Sequence, residues 1–397
     1  MVERPQPRPG PDGFSSGRSR AVVGPHLRAL RRARSRAALR AIVSGATATL
    51  AVVGVVGVSA AGGRQRASGH AKGVGATVSL LPATAAIGKT WAWTAKCGLL
   101  PSVPGSCGTS APNVGAFQLD GDEWNLGTGK TATGSVDMSL SSTGALEVQG
   151  DLPSAPPCTA TTCLAPSANT WVRGYPDVLY GINQCHASTS PATAPGLKLP
   201  VKVDVIPSPL VGTTTYSSTA QQVTYDIAYD MWLSPTSTRA PCLTDGTVEI
   251  MVWTDYDAPA LLPASMRVTT ASVPFSLDGS YRAGTANWSV YASNIYRAGR
   301  TAPWGGTLWF VPDQADITGR GTVSVDLSAV FAAAGSLLER NYGWGNFARE
   351  YWLDTVPFGM EFGPQSAAVN GAGPAYFSLN ISSYCLAVSA KLFNPAC

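Results

Sequence analysis

From about Thr90 onward, apolar and polar residues alternate in short runs split by Pro, Gly, Ser and Thr. A period of two marks β-strands with one packed face, because successive side chains point to opposite sides. The clearest runs are VTYDIAYDMWL (223–233), VEIMVW (248–253), GTLWFVP (306–312) and VPFGMEF (356–362). One segment, DLSAVFAAAGSLLERN (326–341), follows the helical period instead. Asp326 is placed to cap it, and Leu327, Val330, Phe331, Ala334, Leu337 and Leu338 share one stripe. Many short strands and one helix predict an all-β protein, an antiparallel β-sandwich with the helix packed outside and its stripe turned to the core.

Composition fits this reading. The 397 residues are 45% hydrophobic and 13% charged, with 42 Gly and 30 Pro. That is enough apolar material for one large core joined by many turns, and an all-β unit of this length need not be divided. Charge is distributed unevenly. Residues 1–72 hold 13 Lys and Arg against Glu3 and Asp12, a net of +11, so a chain total of +4 leaves −7 for the remainder. An acidic folded part argues against nucleic acid as a partner.

The N-terminal region divides into a basic segment (1–40), a charge-free apolar stretch (41–63, AIVSGATATLAVVGVVGVSAAGG) and a Gly/Ala-rich linker (64–84). Val58-Ser59-Ala60 has the small-x-small pattern of a cleavage site, which suits a signal peptide. An uncleaved single-span anchor is the alternative, since 23 residues can cross a bilayer. Both place residues 85–397 outside the cytoplasm. All eight cysteines (Cys97, Cys107, Cys158, Cys163, Cys185, Cys242, Cys385 and Cys397) follow the apolar stretch. An even count in an exported protein reads as disulfides, with connectivity left open.

The chemistry is narrowed by elimination. Only three histidines exist, and His26 and His70 precede the candidate domain. A Ser-His-Asp triad or a zinc site would rest on His186 alone, in the loop-like NQCHAST. No glycine-rich phosphate loop is present, and the expectation is that no metal or cofactor is used. Carboxylates remain. In 223–233, Asp226, Ala228, Asp230 and Trp232 lie on the face opposite Ile227, Tyr229 and Met231. In 248–253, Glu249, Met251 and Trp253 lie opposite Val248, Ile250 and Val252. A Glu-Met-Trp row is unusual for a solvated strand face, and an ionised carboxylate beside packed residues is costly unless it is paired or used. Tryptophan offers an apolar plane for the C–H face of a sugar ring. Two carboxylates of different proton affinity beside such surfaces are what sugar hydrolysis needs.

YDIAYDMWL, VEIMVW and FGMEF, in this order and spacing, resemble the signature strands of family-12 glycoside hydrolases. DEWNLGTG (122–129), WVRGYPDVLYG (171–181), NWSVYASN (287–294) and PWGGTLWFVPD resemble further stretches of that family. The resemblance covers about residues 90 to 390. It implies a concanavalin-like jelly roll and an endo-β-1,4-glucanase or xyloglucanase acting on β-linked glucan as a monomer. It assigns Glu249 as nucleophile, Glu361 as acid/base and Asp230 as the carboxylate that hydrogen-bonds the nucleophile. Trp124 becomes a sugar platform, Met251 and Trp253 floor residues, and Asp122 and Tyr175 substrate-binding residues. Asp122 stands where the family usually has Asn, and Gly359-Met360-Glu361-Phe362 where it has Gly-Thr-Glu-Pro. These departures bear on substrate preference more than on the reaction. A xyloglucan-specific hydrolase or transglycosylase, and a non-catalytic glycan-binding sandwich, stay as alternatives.

Overall fold

The computed structural model describes residues 76–79, 88–94, 113–121, 133–154, 172–182, 197–236, 244–257, 262–277, 280–281, 287–303, 305–313, 320–364 and 375–388. All belong to the compact unit Gly69–Cys397. Asp122, Trp124, His186 and every cysteine except Cys385 lie outside the described residues, as does the apolar stretch 41–63. Cys385 is buried and disulfide-bonded.

Two sheets dominate the described residues. One has nine strands, in the order Ser280–Tyr281, Phe275–Leu277, Arg320–Asp326, Leu210–Gln221, Ala375–Val388, Leu146–Ser154, Thr133–Leu140 and Thr90–Thr94, with Ala76–Ser79 also pairing Ala375–Val388. The other has ten, in the order Arg267–Ser272, Asn287–Ser293, Gly306–Val311, Val248–Tyr256, Val223–Ser234, Trp352–Pro364, Asp177–Gly181, Phe117–Asp120 and Asn113–Val114, with Val201–Lys202 also pairing Trp352–Pro364. The β-sandwich is as expected, and all four runs singled out by their alternation are strands of the ten-stranded sheet.

Two details correct the sequence reading. Residues Ala76–Ser79, inside the segment read as linker, pair with Cys385–Val388. The pairing of Leu146–Ser154 ends at Ile381, so the end of the longer strand offers open backbone groups that these four residues satisfy. The sheet is also not wholly antiparallel: Val248–Tyr256 and Gly306–Val311 run parallel. The long excursion between them, through four other strands, returns the chain in the same direction.

The core follows from the period of two. Ile227, Tyr229, Met231 and Leu233, with Val248, Ile250 and Val252, enter the main apolar cluster beside Phe358, Met360 and Phe362. Opposite them stand residues such as Val148, Leu379, Ile381 and Tyr384 of the other sheet. Tyr229 meets Phe358 edge-on at 4.9 Å between ring centroids and hydrogen-bonds Thr214 at 2.8 Å. Helix α1 (Leu327–Tyr342) starts where expected: the Asp326 side chain accepts the Ala329 N–H. It stops at Gly343, whose φ of +62° favours glycine. All six residues of its predicted stripe are buried in the main cluster. A second short helix, α2 (Phe347–Glu350), was not legible in the pattern.

One glycine shapes the ground beside the candidate site. Gly359 lies opposite Ala228 on one neighbouring strand and Asp177 on the other. A methyl group there would meet the Pro176 carbonyl oxygen and come within 2.7 Å of the Asp177 Cβ. Its absence lets residues 172–176 lie along the Glu361 strand, where Met360 N–H donates to Pro176 O and Arg173 N–H to Phe362 O. Gly359→Ala should therefore cost about 1–3 kcal/mol, read as a shifted denaturation midpoint at constant m-value. An unchanged midpoint would count against this close approach.

Candidate active site

Three adjacent strands bring the carboxyl groups together. Val223–Ser234 lies between Val248–Tyr256 and Trp352–Pro364, and its outward-facing residues meet the acids of both partners. Trp232 is opposite Glu249, Asp230 opposite Met251, and Asp226 opposite Glu361. Asp226, Asp230 and Glu361 are buried, with relative exposures of 0%, 5% and 4%, while Glu249 is half-buried. A register shift between Ile227 and Ala228 adjusts the pairing with the Glu249 strand.

The hydrogen bonds define a chain of acids. Thr307, directly across the parallel pairing, donates its hydroxyl to Glu249 Oε2 at 2.6 Å. Asp230 hydrogen-bonds Glu249, and Glu361 hydrogen-bonds Asp226. Two carboxyl groups can hydrogen-bond only by sharing a proton, so each pair retains one. Burial pushes Glu249 up to about 7, opposed by the hydrogen bonds from Thr307 and Asp230. Asp230 is raised well above the usual carboxylate range by burial first, then by the charges of Glu249 and Glu361. Asp226 is likewise raised by burial, the bond to Glu361 working in the opposite direction. Asp230 thus stands within the field of both glutamates and is the natural holder of the proton it shares with Glu249. Such groups titrate as a coupled set rather than singly.

Of the remaining predicted residues, Met251, Trp253 and Tyr175 are covered by other side chains. Met251 and Trp253 are 1% and 0% exposed, packed with Ala228, Tyr256, Leu262 and Trp309 in a second apolar cluster on the outer side of the sheet. Tyr175 is also buried, and its hydroxyl donates to Ala228 O at 2.8 Å. Burial raises the Tyr175 phenol well above its usual range, reinforced by Asp230, Asp177 and Asp226. Trp232, half-buried beside Glu249, keeps some accessible surface on this face.

Sequence reasoning missed Thr307, the pairing of Asp226 with Glu361, and the buried acids Asp177 and Asp120, which lie opposite each other. Thr307 is 58 residues from Glu249 and meets it through a parallel pairing. Asp226 carried a signal in its shared face with Asp230, but its partner did not.

The family model for glycosyl hydrolase family 12 matches residues 123–388, two-thirds of the chain. The chain belongs to glycosyl hydrolase family 12. It is accordingly a glycoside hydrolase. Solved structures of that family are similar to it in fold. A family 12 xyloglucanase from Bacillus licheniformis is 17% identical, covering 75% of this chain and 99% of its own, with a TM-score of 0.48. The endoglucanase Cel12A from Rhodothermus marinus is 20% identical over 68% of this chain and 95% of its own, at 0.42. Endoglucanase 3 from Trichoderma harzianum is 16% identical over 70% and 92%, also at 0.42. No curated protein sequence matches the chain at a significant level.

The raised acids predict a pH dependence of stability. Glu249 titrates near 4.5 when unfolded and about 7 when folded, and Asp255 near 3.8 and about 6. Between those values the folded state binds more protons, so stability falls as pH rises. The Tm should drop as pH rises from about 4 to about 7, with Asp226 and Asp230, also raised, adding to the fall in the same direction. Glu249→Gln, which removes one such group, should make the slope shallower and raise Tm at pH ~7 by about 2–4 °C. A Tm that is flat or rising across this window would refute the assignment.

Proposed function

We propose that this family 12 enzyme is a secreted, retaining endo-β-1,4-glucanase that cleaves internal bonds of a β-linked glucan. The observation that carries this reading is the Thr307–Glu249–Asp230 arrangement, with Asp230 also in the field of Glu361. Burial alone would leave Glu249 protonated and inert. Donors on both sides favour its ionised form, which is what a nucleophile requires.

The reaction proceeds in two displacements. Glu249 attacks the anomeric carbon as the glycosidic C–O bond breaks, and Glu361 gives its proton to the departing oxygen. Glu361 then takes a proton from water, whose oxygen bonds to the anomeric carbon and expels Glu249. Two inversions give net retention. By its match to the family's pattern, Trp124 is taken as a sugar platform on the non-reducing side and Asp122 as a substrate-binding residue. Met251, Trp253 and Tyr175 support the floor from beneath. The arginine-rich flank, the apolar stretch 41–63 and Val-Ser-Ala support export.

The two glutamates should fail in different ways. Glu249→Gln and Glu361→Gln should each lower polysaccharide hydrolysis by about a thousandfold or more while leaving the fold intact. Glu361→Gln should still form the glycosyl-enzyme from an aryl cellobioside, because a nitrophenolate leaves without protonation. Azide should then yield a β-glycosyl azide with Glu361→Gln and an α-azide with Glu249→Gln. Near-normal hydrolysis by either variant, tested on cellulose, mixed-linkage glucan and xyloglucan, would remove that residue from its role.

Export has its own test. N-terminal sequencing of the protein recovered from the medium should begin at or near Ala61. Recovery of the full-length chain from the membrane fraction would replace secretion by anchoring, and a soluble cytoplasmic chain with free thiols would defeat both.

A further inference from the structure

The mechanism uses Glu249, Asp230 and Glu361 and leaves one acid of the same face without a task. Asp226 is fully buried and sits directly opposite Glu361. Neither of its carboxyl oxygens accepts a hydrogen bond from an N–H or hydroxyl donor among the described residues. Its hydrogen bond is the one to the Glu361 carboxyl. A buried carboxyl lacking a donor or a cation is destabilising, and an asparagine would fill the same space with donors of its own. A purely structural position has no reason to keep an acid there.

We infer that Asp226 is a positioning residue for the general acid/base: it holds the Glu361 carboxyl through a shared proton and keeps that proton in place until the leaving oxygen takes it. This rests on the reading of Glu361 as acid/base. The groups acting most strongly on Asp226 are Glu361 on one neighbouring strand, Glu249 and Asp257 on the chain of the other, and Asp230 on its own strand, while the covering segment carries Tyr175 and the buried Arg173. The carboxylates among them favour a proton on the pair. The pair starts with one proton. Glu361 delivers it to the glycosidic oxygen as that C–O bond breaks and the bond to Glu249 forms. Two neighbouring carboxylates remain, and their repulsion makes Glu361 a stronger base. It then takes a proton from water while the water oxygen bonds to the anomeric carbon and the Glu249 ester breaks, which restores the starting state.

The test is Asp226→Asn, which keeps the shape and removes the charge, with folding checked by thermal unfolding. The basic limb of kcat/KM should move to lower pH by about one unit. At neutral pH, turnover of polysaccharide should fall by about tenfold or more, while an aryl cellobioside with a nitrophenolate leaving group loses far less in the glycosylation step. Asp226→Ser gives the same comparison should the asparagine variant fold poorly. Infrared titration of buried carboxyl groups supplies a readout apart from activity, in which the protonated carboxyl signal should be lost at lower pH than in the parent. An unmoved pH profile with equal losses on both substrates would overturn the inference. Glu361→Gln is measured in parallel. If it is inactive on polysaccharide while Asp226→Asn matches the parent, only the role of Asp226 falls. If Glu361→Gln hydrolyses polysaccharide normally, the acid/base reading falls and takes this inference with it.

Discussion

The hydrogen bond between Asp230 and Glu249 exists only while one of the two keeps a proton. Everything around it acts to keep that proton present without placing it on Glu249. The principal charges acting on Asp226 and Asp230 are other carboxylates, which oppose ionisation of the acids together. Thr307 tips the balance by donating to Glu249, the half-buried member, while Asp230 is the more deeply buried one. Burial alone would raise all of them alike. A neutral hydroxyl at 2.6 Å on one side is what makes the set unequal, and unequal acids are what a two-carboxylate mechanism uses.

The scaffold holds this balance by packing the Glu249 strand on both sides. Ile250 and Val252 face the main core, while Met251 and Trp253 are enclosed in the second cluster with Trp309 and Tyr256. A strand with both faces buried has little freedom to slide or twist. Glu249, between Val248 and Ile250, inherits that fixity while its own side chain stays half-buried. The Tyr175 hydroxyl, tied to the Ala228 backbone, closes the same region from another side.

Much of this was legible in the residues, and the reason is local. Alternation along 223–233 and 248–253 told which side chains faced the core, and those positions are buried in it. It also picked out Glu249 and Asp230 as sharing the other face. The helix stripe and its Asp326 cap were readable because both depend on neighbours within four residues. What was not legible depended on partners far along the chain. Period-two patterning does not say which strand lies beside which, so Thr307 next to Glu249 and Glu361 next to Asp226 had no signature. Nor could it say that Trp253 and Tyr175, read from the resemblance as residues near the sugar, would be covered by other side chains. The strand Ala76–Ser79 was hidden for a similar reason: its small residues look like linker until the open backbone of Ala375–Val388 is known.

The placement of Asp226 and Asp230 on one strand, between the strands of Glu361 and Glu249, limits how such a protein can diverge. Substitutions in Val223–Ser234 change one side chain at a time. Losing or gaining a single residue between Ile227 and Trp232 would instead exchange the two faces of everything beyond it. A deletion at Tyr229 would turn Asp230 toward the apolar core and bring Met231 to the outer face. The register shift beside Ala228 shows that the pairing with the Glu249 strand already absorbs one such irregularity. Lineages descending from this sequence are thus free to vary the length of the surrounding loops, while the central strand is inherited at fixed length as a single unit.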